Sequence, residues 1–182
     1  MNDLTLLLIG TILVVWLSRK PLRMPGSHGF YRFFAWEAIL GLLVMNHGVW
    51  GDDPYSPHQF TSWMLMLLSL FLVVEGTRNL LCHGAADTRR GNGSFYEFEK
   101  TTRIVSRGIF GYIRHPMYSS LLALAWGAFL QDPSLPGSLV VGLATLFLWL
   151  TATADERECL AYFGDPYARY MQRTKRFIPF LL

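Results

Sequence analysis

Two short polar segments carry residue types that can bind a small charged molecule. The first, Arg114 to Tyr118, reads RHPMY and directly precedes the apolar stretch SSLLALAWGAFL. Pro116 suits the first position of a helix, where its missing N–H costs nothing, so His115 takes the cap position. Tyr118, three residues on, shares a helical face with His115. The unsatisfied backbone N–H groups of this helix start can bind an anion such as a carboxylate.

The second segment is DERE, Asp155 to Glu158, where the last apolar stretch ends. A short loop joins the two apolar stretches into a hairpin, so both polar segments are expected at the same membrane depth, where they can face each other. Cytosolic ends of membrane helices usually carry Lys and Arg. Asp155 and Glu156 therefore need a cationic partner or a ligand hydroxyl at this position.

Each segment also has a simpler interpretation. Arg114 and Tyr118 are residue types that anchor helices at a membrane interface, and the His-Pro pair can serve only to cap a helix. The carboxylates can pair locally with Arg114, Arg157 or Arg169.

The composition is that of a small polytopic membrane protein. Of its 182 residues, 52% are hydrophobic and 16% are charged, and the mean hydropathy is +0.28, which is too apolar for an ordinary soluble domain. We expect one all-α, membrane-embedded domain over residues 1–182, with about five transmembrane helices. The candidate spans are 4–17, 33–50, 60–81, 117–130 and 137–154, of which the first and fourth are short for a bilayer of about 30 Å.

The basic residues predict the orientation of these spans. Of the 16, 15 fall after the first, third or fifth span and Arg78 lies within the last four residues of the third, whereas the alternate loops GDDPYSPHQ and QDPSLPGS contain acidic residues but no Lys or Arg. Because cytosolic loops collect Lys and Arg, the N-terminus is expected outside and the C-terminus, with the site, in the cytosol. The net charge of +3 then describes a cytosolic face suited to anionic lipid headgroups, and no nucleic-acid-binding patch is expected.

Other classes of segment and site are not expected. The N-terminal apolar stretch lacks a basic n-region and a small-residue cleavage site, which predicts a retained helix instead of a signal peptide. Cys82 and Cys159 lie at cytosolic ends of spans and match no metal spacing, so we expect neither a disulfide nor a metal site.

Two further elements are expected on the cytosolic face. The hydrophilic segment from His83 to Ile113 predicts an irregular or short amphipathic element over the bundle. Beyond DERE the helix is expected to stop at FGDP. A second amphipathic helix then starts at about Pro166 and places Tyr167 and Tyr170 on one face, which is typical of a helix that lies in the membrane interface.

The order of these motifs resembles a known family. GIFGYIRHPMYSSLL, followed after one hairpin by DERECLAYFGDPYARYMQRTKRFIPF, is similar to the isoprenylcysteine carboxyl methyltransferase and phospholipid methyltransferase family of membrane enzymes. In that family an Arg-His-Pro-x-Tyr segment and a later Glu-Glu pair build the site for S-adenosylmethionine. The similarity covers about Thr101 to Phe180, so about 101–180 is the expected cofactor-binding half. Two positions depart from the pattern: Asp155-Glu156 replaces Glu-Glu, and Ser120 stands where a glycine is common.

The resemblance implies methyl transfer from S-adenosylmethionine, with S-adenosylhomocysteine as product, to a lipophilic acceptor reached from the bilayer. The expected cofactor-binding residues are His115, Pro116, Tyr118, Asp155 and Glu156, the expected catalytic residues are Arg114 and Glu156, and the expected substrate-binding residues are Tyr167 and Arg169. A carboxylate acceptor is already a nucleophile at neutral pH, whereas an ammonium headgroup must first lose a proton. No residue is a secure general base.

Several alternatives stay open at this point. The acceptor can be a prenylcysteine-like or other carboxylate, or an aminophospholipid. The protein can also be a nicotinamide-dependent membrane reductase on a related scaffold, or a membrane protein without enzymatic activity that binds lipid or a partner subunit. The sequence leaves the oligomeric state undetermined.

Overall fold

The structure, a computed structural model, describes residues 2–85 and 100–181. Within these residues the chain is all-helical, as predicted, with six α-helices: α1 (Asp3–Ser18), α2 (His28–Asn46), α3 (Pro57–His83), α4 (Pro116–Phe129), α5 (Leu135–Phe163) and α6 (Asp165–Arg173). Short 3₁₀ turns lie at Pro21–Arg23, His47–Val49 and Gly108–Gly111.

Two of the helices, α3 and α5, are long and apolar enough to cross a membrane. Helix α1 is apolar but has only 16 residues, and α4 has 14, fewer than the roughly 20 that a perpendicular span requires. A helix lies at each of the five predicted spans, while the number of these helices that cross the bilayer stays a prediction.

The helix starts follow from local side-chain chemistry. Asn2, Ser27, Ser56 and Ser134 precede α1, α2, α3 and α5, and the side chain of each accepts a hydrogen bond from a backbone N–H of the first turn. These polar caps lie outside the apolar runs, which explains why α2 and α3 begin before the spans predicted from hydropathy. Helix α5 ends before Gly164, whose φ of +62° breaks the helix at the predicted FGDP stop.

Small residues let α3 and α4 pack closely. A Cβ added at Gly127 would lie 3.0 Å from Met66 Cγ, and one added at Gly76 would lie 3.2 Å from Met117 Cγ. The hydroxyl of Ser62 donates to the carbonyl oxygen of Gly127 at 2.5 Å. These contacts fix the position of α4, and with it the Arg-His-Pro segment at its start.

An apolar core holds α2, α4 and α5 together. It consists of Ile39, Leu42, Ala125, Ala128, Phe129, Val141 and Ala144. A second cluster lies nearer to the polar segments and contains Ala35, Tyr118, Leu148, Ala152 and Phe177. The second cluster shows that the end of the chain returns to pack against the bundle.

The predicted irregular element between α3 and α4 is described only from residue 100 onward. Residues 86–99, which include Arg89 and Arg90, lie outside the described residues. Thr102 N donates to Gly84 O at 3.0 Å, so the described part begins beside the end of α3. The Gly108–Gly111 turn then packs on α3 before the chain enters α4.

Replacing Gly108 by alanine is expected to destabilise the fold by about 1–3 kcal/mol, through strain at a φ of +57° and a steric clash. A Cβ there would lie 2.5 Å from Oδ1 of Asn79, a buried residue of α3. Denaturant unfolding in detergent measures the loss. Gly26→Ala is the matched control, because φ is +83° but nothing lies within 4 Å of its Cβ. Equal losses in both variants would contradict the contact with Asn79.

Candidate active site

The start of α4 meets the acidic segment Asp155–Glu158 of α5, about two turns before that helix ends, which confirms the expected juxtaposition. His115 Nδ1 lies 3.4 Å from Asp155 Oδ2, and His115 Nε2 lies 3.3 Å from Glu156 Oε1. The imidazole also stacks on the Tyr118 ring, with centroids 5.2 Å apart and planes 19° apart. His115 thus bridges two carboxylates while Tyr118 covers one face of its ring.

Among the residues that the structure describes, no side-chain hydrogen bond caps the start of α4. His115 occupies the N-cap position without a side-chain hydrogen bond to the first turn, and Pro116 follows at the first helical position. The positive end of the helix dipole is therefore available to a ligand anion.

Glu156 is buried among cationic side chains. Arg114 Nε donates to Oε1 at 2.9 Å, Arg176 Nε donates to Oε1 at 3.1 Å, and Arg176 Nη2 donates to Oε2. Glu156 is only 4% exposed. The local-pairing interpretation therefore holds for Arg114, whereas Arg157 is exposed and donates to the carbonyl oxygen of Gly26 at 3.4 Å.

Arg176 is a member of this cluster that the sequence did not indicate. Its position depends on the C-terminal segment, residues 174–177, which runs parallel to the residues before α4. Arg114 N donates to Lys175 O at 2.7 Å, and His115 N donates to Arg176 O at 3.2 Å. The available sequence signal is the short run Lys175, Arg176 and Phe177, two basic residues followed by an aromatic one, which is too short to identify a pairing partner.

A pocket opens beside His115, and we call it the site pocket. Its lining combines polar and apolar groups: His28, Leu80, Thr101, Arg103, Ile104, Val105, Phe110, Arg114, His115, Pro116, Met117, Tyr118, Asp155, Cys159, Phe163, Tyr167 and Tyr170. Asp155 supplies the one carboxylate among these described lining residues. Glu156 lies behind the lining.

The two predicted substrate-binding residues are on different surfaces. Tyr167 lines the site pocket and is 6% exposed. Arg169 is exposed and lines a neighbouring groove between α6 and the turn before α4. Tyr170 lines both and donates its hydroxyl to Phe110 O at 2.7 Å. Burial raises the pKa of both tyrosines, so their hydroxyls stay protonated.

Helix α2 also reaches the acidic end of α5, a contact that the sequence did not indicate. His28 is fully buried, and its Nδ1 lies 2.8 Å from Glu158 Oε2 while its backbone N–H donates to Glu158 Oε1 at 3.0 Å. Each of the three acids of DERE therefore has a basic partner in the structure.

The protonation of His115 predicts a pH dependence of stability. Burial lowers its pKa, but hydrogen bonds and charge from Asp155 and Glu156 outweigh burial, so the pKa lies above its ordinary 6.5. The stabilisation is fully present below pH 6.5 and is lost as pH rises through the raised pKa. Thermal unfolding in detergent over this interval is expected to show a falling midpoint. The fall in the unfolding midpoint should be smaller in His115→Gln. A pH profile identical to that of the parent protein would contradict the assignment of this pH dependence to His115.

Comparisons with known proteins give one family match and one related enzyme. A sequence model of the family described as Phospholipid methyltransferase matches residues 58–164, which include both polar segments and stop before the C-terminal segment. The chain is 27% identical over 128 residues to Methanethiol S-methyltransferase 1 of Bradyrhizobium diazoefficiens. That match covers 66% of this chain but only 39% of the relative. No solved structure matches.

Proposed function

The chain belongs to the phospholipid methyltransferase family, and from that premise we propose that it transfers the methyl group of S-adenosylmethionine to a lipophilic acceptor in the membrane. The observation that carries this proposal is the site pocket. Most of its lining residues lie within the family-matched residues 58–164, and it brings an uncapped helix start, a carboxylate and stacked aromatic rings to one place.

The lining of the pocket fits the chemistry of S-adenosylmethionine. This molecule carries a sulfonium cation, a carboxylate, an amino group and ribose hydroxyls. The start of α4 suits the ligand carboxylate, and Asp155 can accept hydrogen bonds from an amino group or from ribose hydroxyls. Tyr118 and Tyr167 offer ring faces, which attract cations through the ring quadrupole. Phe110 and Phe163 supply apolar walls for the adenine.

We assign different roles to the two carboxylates. Asp155 lines the pocket and would contact the cofactor, together with His115, Pro116 and Tyr118. Glu156 would act through its partners, because both of its oxygens already accept hydrogen bonds from arginines. Arg114 lines the pocket but also donates to Glu156 and to the carbonyl oxygens of Met171 and Thr174, so we assign it to positioning.

Methyl transfer needs alignment more than acid–base chemistry. S-adenosylmethionine supplies an electrophilic methyl group, and the acceptor attacks it in line with the departing sulfur. Holding the two reactants aligned can contribute about 7–11 kcal/mol at best. The apolar lining from Leu80, Ile104 and Met117 would exclude water from the acceptor side. An acceptor that is already anionic then needs no general base.

The acceptor belongs to one of two candidate classes, a membrane-borne lipid or a small thiol. The first class contains prenylcysteine-like or other carboxylates and aminophospholipids. Such acceptors fit a pocket that opens within a membrane bundle. A small thiol is the second candidate, favoured by the similarity to Methanethiol S-methyltransferase 1. The thiolate, and not the thiol, is the nucleophile, so this acceptor must lose its proton before it accepts the methyl group.

We further propose that five helices cross the membrane, with the N-terminus outside and the site pocket at the cytosolic side. All 16 basic residues of the chain support this orientation. In this arrangement α6 lies in the interface, and membrane lipids surround the exposed apolar faces of α1 and α3.

Incubation with methyl-labelled S-adenosylmethionine tests the proposal. Purified protein would receive either a total membrane lipid extract or methanethiol, and labelled products would be separated by mass spectrometry. We expect label in one of the two arms, which identifies the acceptor class, and loss of that label in Asp155→Asn. Binding of NADPH without binding of S-adenosylhomocysteine would instead support a reductase. Absence of label in both arms together with no cofactor binding would refute methyl transfer.

A further inference from the structure

We infer that Arg176 is a positioning residue of the cofactor site: it holds Glu156 in a fork and so fixes His115 and the start of α4. The identity of the ligand rests on the proposed function, whereas the role of Arg176 in holding Glu156 and the start of α4 does not depend on that ligand. Arg176 lies outside residues 58–164, the part of the chain that the family model matches.

The backbone of the C-terminal segment is tied directly to the residues before α4. Lys175 N donates to Tyr112 O at 3.0 Å, Arg114 N donates to Lys175 O at 2.7 Å, and His115 N donates to Arg176 O at 3.2 Å. These three bonds form a short parallel pairing between the C-terminal segment and the residues before α4. The two arginines are thereby brought to the same carboxylate.

Packing on both sides of Arg176 fixes the direction of its side chain. Phe177 is 6% exposed and belongs to the cluster that contains Tyr118 and Leu148. The hydroxyl of Ser119, in the first turn of α4, donates to Phe177 O at 2.9 Å. On the other side, the Arg176 guanidinium lies 4.4 Å from the centroid of the Trp149 ring, a favourable cation–π arrangement.

The hydrogen bonds to Glu156 show what Arg176 contributes. Arg114 and His115 both contact Oε1, whereas Arg176 donates to Oε1 through Nε and to Oε2 through Nη2. A forked pair with both oxygens fixes the plane of a carboxylate, which a single contact does not. Because Glu156 Oε1 lies against His115 Nε2, a fixed carboxylate plane also fixes the imidazole that borders the site pocket.

The charge balance supports the same conclusion. Arg114 and Arg176 have side chains that are 10% and 18% exposed, and the Glu156 side chain is 5% exposed. The charge of the Glu156 carboxylate is thus already paired with two guanidinium groups and an imidazole of the protein. Glu156 therefore serves as the anchor of the cluster, and Asp155 is left as the carboxylate that faces the pocket.

Three variants test the positioning role by calorimetric titration with S-adenosylhomocysteine. Arg176→Met is expected to weaken binding by about tenfold or more, and Arg176→Lys by less, because lysine keeps the charge but not the fork. Lys175→Met is the matched control: it removes one positive charge from the neighbouring residue, whose side chain is exposed. Its affinity should equal that of the parent protein.

Hydrogen exchange at the amides of Arg114 and His115 supplies a readout that needs no ligand. We expect faster exchange in Arg176→Met and parent-like exchange in Lys175→Met. Faster exchange with unchanged affinity would make Arg176 merely structural and overturn the inference. Weaker binding with unchanged exchange would indicate direct cofactor contact and also overturn it. If the parent protein does not bind S-adenosylhomocysteine, the proposed function fails, and the exchange data alone then decide whether Arg176 fixes the start of α4.

Discussion

Glu156→Gln is expected to lower the free energy of unfolding by about 3–5 kcal/mol, the usual cost of removing one partner of a buried ion pair. The amide keeps the shape of the side chain but leaves the buried guanidinium groups of Arg114 and Arg176 without their anion. It also turns an N–H₂ group toward donors that need an acceptor. Denaturant unfolding of the purified protein in detergent measures the change.

Glu75→Gln is the matched control for this prediction. Glu75 pairs with Arg78 at 3.6 Å, but the Arg78 side chain is 74% exposed, and exposed pairs contribute only about 0–1 kcal/mol. A loss in Glu156→Gln no larger than the loss in Glu75→Gln would contradict the view that the arginine cluster holds the site together.

Asp155→Asn is expected to weaken S-adenosylhomocysteine binding by about 10- to 150-fold. This range corresponds to loss of a charged hydrogen bond, about 1.5–3 kcal/mol. Asp155 is the carboxylate among the described residues that line the site pocket, and asparagine keeps its size while removing the charge. Calorimetric titration of parent and variant measures the change.

Glu158→Gln is the control for the binding prediction. Glu158 belongs to the same acidic run, but its carboxylate contacts His28 and does not line the site pocket. Its substitution should leave the affinity for S-adenosylhomocysteine near that of the parent. Equal loss in both variants would mean that overall charge, and not contact with the cofactor, controls binding.

The sequence predicted the elements that local chemistry determines. The apolar runs located the apolar parts of α1 to α5, and Pro116 and FGDP located a helix start and a helix end. The meeting of His115 with Asp155 and Glu156 could also be predicted, because a hairpin of two helices brings their polar ends to one level. In these cases the determining residues are close in the chain or related by a single short loop.

Contacts between distant segments could not be predicted in this way. The sequence predicted an amphipathic helix from about Pro166 but gave no sign that α6 ends at Arg173 and that the chain then extends to place Arg176 beside Glu156. The pairing of Lys175 with Ile113 joins residues that no local sequence pattern relates. The contact of His28 with Glu158 bridges 130 residues, and a buried histidine at a helix start has no distinguishing sequence signature. The different positions of Asp155 and Glu156 relative to the pocket likewise depend on packing.

An experimental structure of the complex with S-adenosylhomocysteine tests the central claim most directly. We predict one molecule between the start of α4 and the acidic segment of α5, with its carboxylate near the first turn of α4 and Asp155 in contact with its amino group or ribose. Lipid or protein in that space, with the ligand bound elsewhere, would contradict it.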